Sequence, residues 1–269
     1  MAIIAMQSAA SGLRALDTRL DVIANNLANV NTEGFKSSRA NFEDLLYLER
    51  AQPGVENAIG DQRPTGLYVG MGVKVSGTQQ NFDQGTPIST SSSTDMMIAG
   101  RGFFKVRVED SLGAGGVAYT RNGNFIRNSE GDLVLANSDG RYLDPAINIP
   151  ADALDVFVTP DGRVQYSTAN DAEPQEAGQL QISIFVNPEG LSSIGTNLWA
   201  ESAASGPPIE GQPATENFGS ILGNTLEGSN VDPSRELIEL IRTQRAFEMN
   251  SQAIRAADET LQSVAQLRR

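Results

Sequence analysis

The chain carries 33 aspartates and glutamates against 20 lysines and arginines, and it has no histidine and no cysteine. Carboxylates on their own support two kinds of chemistry: a facing pair can hydrolyse a glycosidic bond, and a cluster can hold calcium. Glu109, Asp110, Asp132, Asp144 and Asp161 are the acids a fold could gather for the first, and Asn128-Ser129-Glu130-Gly131-Asp132 is a fragment of a calcium loop. Both signals are weak. Asp139 and Asp161 each precede glycine, which is turn chemistry, and the calcium fragment lacks the full alternation of ligands. The missing residue types remove serine-histidine-acid and cysteine-histidine catalysis, thiolate and imidazole metal sites, and disulfides. Gly70-Met71-Gly72 and Gly100-Arg101-Gly102 lack the spacing of a phosphate cradle. The net charge of −13 (20 − 33) opposes binding to a phosphate backbone, so nucleic acid is not an expected partner. No catalytic residue, cofactor or metal ligand is assigned. Trp199, the only tryptophan, is the one further support for a carbohydrate-binding reading, and it is expected instead to anchor a domain edge.

The elements that would position these residues are easier to read. A length of 269 residues accommodates one large or two ordinary domains. Near the N-terminus two apolar series recur every seven residues: Met6, Leu13, Leu20 and Leu27, and three positions later Ala9, Leu16, Ile23 and Val30. Together they put one narrow stripe on a helix, the seam that a coiled coil buries. Asn31-Thr32-Glu33-Gly34 ends the run, with Gly34 suited to the left-handed conformation that stops helices. Near the C-terminus Asp232-Pro233 reads as an N-cap followed by proline at the first helical position. Leu240, Phe247, Ile254 and Leu261 form the stripe there, backed by Thr243, Asn250, Ala257 and Val264. Asn25, Asn26 and Asn29 flank the first stripe, where buried amides can fix register. Arg242, Arg245 and Arg255, with Glu236, Glu239, Glu248, Asp258 and Glu259, are expected on the solvated face of the second helix.

Between the helices the period changes to two. Val156 and Val158, then Val164 and Tyr166, alternate around Thr159-Pro160-Asp161-Gly162, which predicts a hairpin. Strand-like runs also occur over residues 103–108, 118–127, 132–135 and 181–186. The expected fold is α+β. Residues 1–34 and 230–269 are expected to pair as a coiled-coil layer, and 68–199 to form a mainly antiparallel β domain. No apolar run approaches the ~18 residues of a membrane span, and the first residues lack the basic start of a secretion signal, so neither membrane insertion nor a cleaved leader is expected. Two stripes separated by most of the chain, the first rimmed by small residues such as Ala5, Ala10, Ala24 and Ala28, favour self-assembly.

Several stretches resemble the bacterial flagellar rod and hook family. Asn25-Asn26-Leu27-Ala28-Asn29-Val30-Asn31-Thr32-Glu33-Gly34-Phe35-Lys36 is similar to its N-terminal motif. Leu226-Glu227-Gly228-Ser229-Asn230-Val231 and Gln244-Arg245-Ala246-Phe247-Glu248-Met249-Asn250 are similar to its C-terminal motif. Ile98-Ala99-Gly100-Arg101-Gly102-Phe103-Phe104 and Tyr119-Thr120-Arg121-Asn122-Gly123-Asn124-Phe125 resemble landmarks of its β domain. Residues 47–64, including Tyr47, Gln52, Pro53, Gly54 and Pro64, resemble the segment that sets the rod section next to the hook apart from the hook itself. The resemblance implies an inner tube of terminal helices, extended connectors over 35–67 and 200–229, of which residues 47–64 straighten and stiffen the tube, and an outer β layer. It implies no catalysis. It also implies export through the flagellar secretion apparatus and a rod crossing the periplasm. Its implied partners are copies of the chain, proximal rod subunits, hook subunits, and the outer-membrane and peptidoglycan ring proteins. The alternatives are a proximal rod or hook subunit and, in another class, a secreted carbohydrate-binding or carbohydrate-acting β protein.

Overall fold

The structure, a computed structural model, describes residues 2–54, 64–169 and 173–267. Two helices bracket a series of short strands: α1 over Ala2–Ala28 and α2 over Pro233–Leu267. The start of α2 is the one the sequence implies. Asp232 Oδ1 accepts from the backbone N–H of Ser234 at 2.9 Å and of Arg235 at 3.3 Å, while Pro233 has no N–H to leave unsatisfied. α1 stops earlier than its apolar series suggests, so Val30 lies in the turn beyond the helix. Gly34 ends that turn at φ +67°, where a Cβ would meet the backbone nitrogen of Asn122 at 2.7 Å, so conformation and space both demand glycine. Among the described residues no helix is long and apolar enough to cross a membrane.

The chain forms two compact units, each discontinuous in sequence. One holds Met1–Ala28, Ser38–Gln79 and Asp232–Arg269; the other holds Asn29–Ser37 and Gln80–Val231, so the chain passes between them four times. In the first unit α1 and α2 pack together. Gly12, Arg19 and Asn26 meet Asn250, Glu239 and Glu236, the reverse order that marks an antiparallel pair. The expected connector over 35–67 is extended but not single: Tyr47–Ala51 pairs antiparallel with Leu67–Gly70, and Ser38–Asp44 pairs with Val73–Gln80. The chain therefore runs out and returns along itself, which satisfies backbone groups that a lone connector would leave to water.

The second unit is β. A six-stranded sheet has the order Ser192–Gly195, Leu198–Ala200, Val117–Thr120, Phe103–Arg107, Ile182–Ile184, Ile209–Gly211. The predicted hairpin forms the first two strands of a three-stranded sheet, with Val156 opposite Tyr166 and Val158 opposite Val164. Residues 200–229 differ from the extended connector expected of them. Ile209–Gly211, Ser220–Gly223 and Thr225–Glu227 pair with Ile182–Ile184, Met96–Ala99 and Pro87–Ser89, so this stretch is woven into the β body. Proline and glycine in that segment mark the turns between very short strands.

Alternation along Phe103–Arg107 sorts side chains to two faces. Phe104 and Val106 join Met96, Ile98, Phe125 and Ile182 in the main core, and Phe103 joins Tyr119, Phe185, Leu191 and Trp199 in a second, largely aromatic cluster. Each large side chain buried this way contributes roughly 1.5–3 kcal/mol. Trp199 is 3% exposed and its Nε1 donates to Gln80 Oε1 at 2.7 Å, so it anchors this cluster and has no face left for a sugar.

Candidate assembly interface

The helix pair is not closed by the residues that the apolar repeat ranks first. Gly12, Ala15, Arg19, Ile23 and Asn26 make the face of α1 nearest α2, with Ala15, Ile23 and Asn26 buried. At 3.6 residues per turn, Met6, Leu13, Leu20 and Leu27 lie roughly 60–120° round the helix from Gly12. All four are half-buried, as is Leu16. α2 repeats the pattern. Buried Thr243 and half-buried Asn250 and Ala257 face inward, while Leu240 lies to one side and Phe247 is 36% exposed. Ile254 and Leu261 are half-buried, and the side chain of Val264 lies outside the described ones. The reason is steric. A Cβ on Gly12 would meet Asn250 Nδ2 at 3.2 Å, so the Asn250 amide already fills the space a leucine would need there. The leucine series therefore forms a flank beside the seam.

Polar contacts hold the seam. Asn26, 2% exposed, accepts at Oδ1 from Ser38 N–H at 2.9 Å and donates through Nδ2 to Ser38 O at 2.8 Å and Glu236 Oε1 at 3.4 Å. Arg19 donates to Glu239 Oε2 at 2.6 Å. Glu236 and Glu239 thus turn toward α1, not toward the solvated face expected of them, because small neighbours leave room for carboxylates there. Burial raises the Glu236 pKa above its ordinary value, against the lowering effect of the Asn26 hydrogen bond. Asn29 accepts from Thr32 Oγ1 at 3.0 Å in the turn after α1, and Asn25, Gln244 and Arg245 are exposed. A second apolar patch on α2 that the repeat did not flag consists of Leu237, Ile238, Ile241 and Met249, all exposed. Its signal was the three- and four-residue spacing of the first three.

Of residues 47–64, 55–63 lie outside the described residues. Tyr47 is exposed and opposite Gly70, Gln52, Pro53 and Pro64 are exposed, and Gly54 takes φ +81° in a turn. Leu46, Tyr47, Leu48, Leu67 and Tyr68 make this hairpin an exposed apolar surface.

The acids considered for chemistry are dispersed. Asp144 pairs with Lys105 and Arg107, Asp161 with Arg163, and Asp132 accepts from Asn148. Asn128 Oδ1, which would lead the calcium fragment, accepts the backbone N–H groups of Glu130 and Asp132 in a turn. The structure instead gathers three charges that composition gave no reason to combine. Lys36 Nζ donates to Glu227 Oε1 at 2.6 Å and to Asp83 O at 2.7 Å, and both side chains are fully buried. Arg121 Nη1 reaches Glu227 Oε2 at 3.4 Å, its Nη2 donates to Gly100 O at 2.8 Å, and Gly85 N–H donates to Glu227 Oε1 at 2.9 Å. Burial pushes the Lys36 ammonium below the usual lysine value, which Glu227 only partly offsets. Asn230 closes the same corner, accepting from Ser37 N–H at 2.7 Å and donating to Asn81 O at 2.8 Å. Lys36, Arg121 and Glu227 come from three of the motifs quoted above, so those motifs meet in one buried cluster.

Comparison with known proteins gives this cluster a context. Residues 6–36 match the family described as "Flagella basal body rod protein", 97–166 the "Flagellar hook protein FlgE/F/G D1 domain", and 223–267 the "Flagellar basal body rod FlgEFG protein C-terminal". The flagellar basal-body rod protein FlgG of Caulobacter vibrioides is 42% identical over 265 residues, 98% of this chain and 99% of that protein. The chain belongs to the flagellar basal-body rod protein FlgG family. The relative from Borreliella burgdorferi is 42% identical over 267 residues, 98% of each chain. The flagellar hook protein FlgE of Salmonella typhimurium is 25% identical over an alignment of 421 positions that covers 97% of this chain and 99% of that one. Lys36, Glu227 and Arg121 fall inside the three matched regions, so the buried cluster links all three parts of the family pattern.

Proposed function

We propose that this chain is the structural subunit of the flagellar distal rod, assembling with copies of itself into a straight, stiff, hollow tube that transmits motor torque to the hook. No catalytic step is involved. The observation that carries the reading is the divided helix surface: α1 and α2 meet through small and polar side chains, while Leu13, Leu20 and Phe247 stay partly open beside them and Leu237, Ile238 and Ile241 stay exposed. Apolar flanks of this kind are stabilised when neighbouring copies cover them, and contacts between different patches generate open helical assemblies. In the tube the terminal helices form the inner, coiled-coil-like layer and the β body the outer one. Residues 47–64 bridge to neighbouring subunits and restrain sliding. Proximal rod subunits adjoin one end and hook subunits the other, and the peptidoglycan and outer-membrane rings surround the shaft as it crosses the periplasm. The subunit reaches its place unfolded, through the flagellar export apparatus. The higher identity to rod relatives than to the hook relative favours the rod over the hook alternative. The carbohydrate alternative loses its support with the burial of Trp199 and the scattering of the acids.

Electron microscopy of the concentrated full-length chain tests this reading. Straight hollow tubes are expected. A solution of single particles at every concentration would overturn it.

A further inference from the structure

The aromatic cluster of the β body is open at one edge. Phe82, Phe103, Ile184, Phe185 and Pro188 line a cleft of about 90 Å³ together with Arg101 and Arg121. At ~30 Å³ per water this is room for a small polar group and a methylene or two, not for a drug-sized ligand. Its two guanidiniums differ. The Arg101 side chain is exposed and has no hydrogen-bond or ion-pair partner among the described residues. Arg121 is 4% exposed, stands with its guanidinium 5.3 Å over the Phe103 ring, and has a buried Nε with no hydrogen-bond partner. Arg121 and Lys36 also share the single carboxylate of Glu227. A buried donor left unmade is costly, and a planar guanidinium is the group that carboxylates match best.

We propose that this cleft binds a carboxylate on a short apolar stem, the side chain of an aspartate or glutamate presented by a second copy of this chain. The apolar walls take the stem, and Arg101 and Arg121 take the charge. A second copy is the occupant that charge favours, because the chain carries 33 acids against 20 bases and each copy offers surplus carboxylates to a basic cleft on the next. The choice of a copy rests on the self-assembly proposed above; the carboxylate preference of the cleft does not.

Trp199 supplies a readout. Its ring lies edge-on to Phe82 and Phe103, with centroids 5.3 and 6.0 Å away, and it is the only tryptophan in the chain. In the first experiment N-acetyl-leucyl-glutamate amide is titrated into the full-length chain at low salt while tryptophan fluorescence is followed, with the glutamine analogue as control. A saturable change with the glutamate peptide alone, lost in Arg101→Glu and kept in Arg101→Lys, is expected. No saturation, or the same response to both peptides, would overturn the cleft. In the second, assembly is followed by sedimentation. Arg101→Glu is expected to raise the concentration needed for pelleting about tenfold, with unchanged circular dichroism. If Arg101→Glu pellets like the wild type, a second copy is not the occupant. If the wild type itself never pellets, the rod reading falls, and the peptide titration still judges the cleft.

Discussion

Glu227 takes hydrogen bonds from Lys36 and from the Gly85 N–H at one oxygen, while its other oxygen faces Arg121, all out of reach of water. Removing one partner of such a buried pair leaves an uncompensated charge, so Glu227→Gln is expected to cost about 3–5 kcal/mol by urea denaturation. Lys36→Met should cost less, because Arg121 and the Gly85 N–H still compensate the carboxylate; an equal loss from both variants would contradict this ranking. The cluster was not legible as a cluster. Lys36, Arg121 and Glu227 stand in quoted motifs, but the pairs span 191 and 106 residues of sequence, and only the strand pairing of the β body brings them together. The dispersal of Asp132, Asp144 and Asp161 was more accessible, since Asp161 before Gly162 and the Asn128 loop already read as turns.

At the scale of elements, the seven-residue repeat located both helices, but the closing face runs through its second series, at Ile23, Thr243, Asn250 and Ala257, and not through its leucines. Repetition identifies a stripe, whereas closeness of approach is decided by volume, and Gly12, Ala15, Thr243 and Ala257 are small enough where Leu13 and Leu240 are not. Gly12→Leu is therefore expected to force the helices apart, at roughly 1–3 kcal/mol, seen as an earlier loss of helix signal on heating. Phe247→Asp should act differently, preventing tube formation in the electron microscope while circular dichroism of the subunit stays unchanged. Glu236 adds a dependence on pH. Its pKa is raised in the folded state, so the cost of burying it charged is present at neutral pH and disappears as pH falls through the raised value into the ordinary carboxylate range. The melting temperature of the helices should rise on mild acidification, and Glu236→Gln should remove that part of the rise; an unchanged pH profile in the variant would refute the assignment. The hairpin around Thr159–Gly162 and the N-cap at Asp232 were fully legible because their causes are local. The returning strands Leu67–Gly70 and Val73–Gln80 were not, since neither has a turn signal short enough to announce its partner.

At the scale of the molecule, the stretch from Ser38 to Gln80 pairs with itself and presents exposed Leu46, Tyr47, Leu48, Leu67 and Tyr68. Deleting residues 47–64 removes one strand of that hairpin and is expected to give curved or flexible filaments in place of straight tubes; straight filaments from the deletion would remove the stiffening role. The α+β composition and the placement of helices at the two ends followed from the sequence alone. The weaving of 200–229 into the β body did not, because its strands are only three or four residues long and carry almost no periodicity.

The four passages of the chain between units also set the order in which it can mature. α1 is made long before α2, and the face carrying Gly12, Ala15 and Asn26 has no helix to pack on until the segment after Val231 has been made. Strands completed midway cannot bury that face for it. Closure of the helix pair is therefore a late, long-range step, whereas the β unit, whose last residue is Val231, can settle before it.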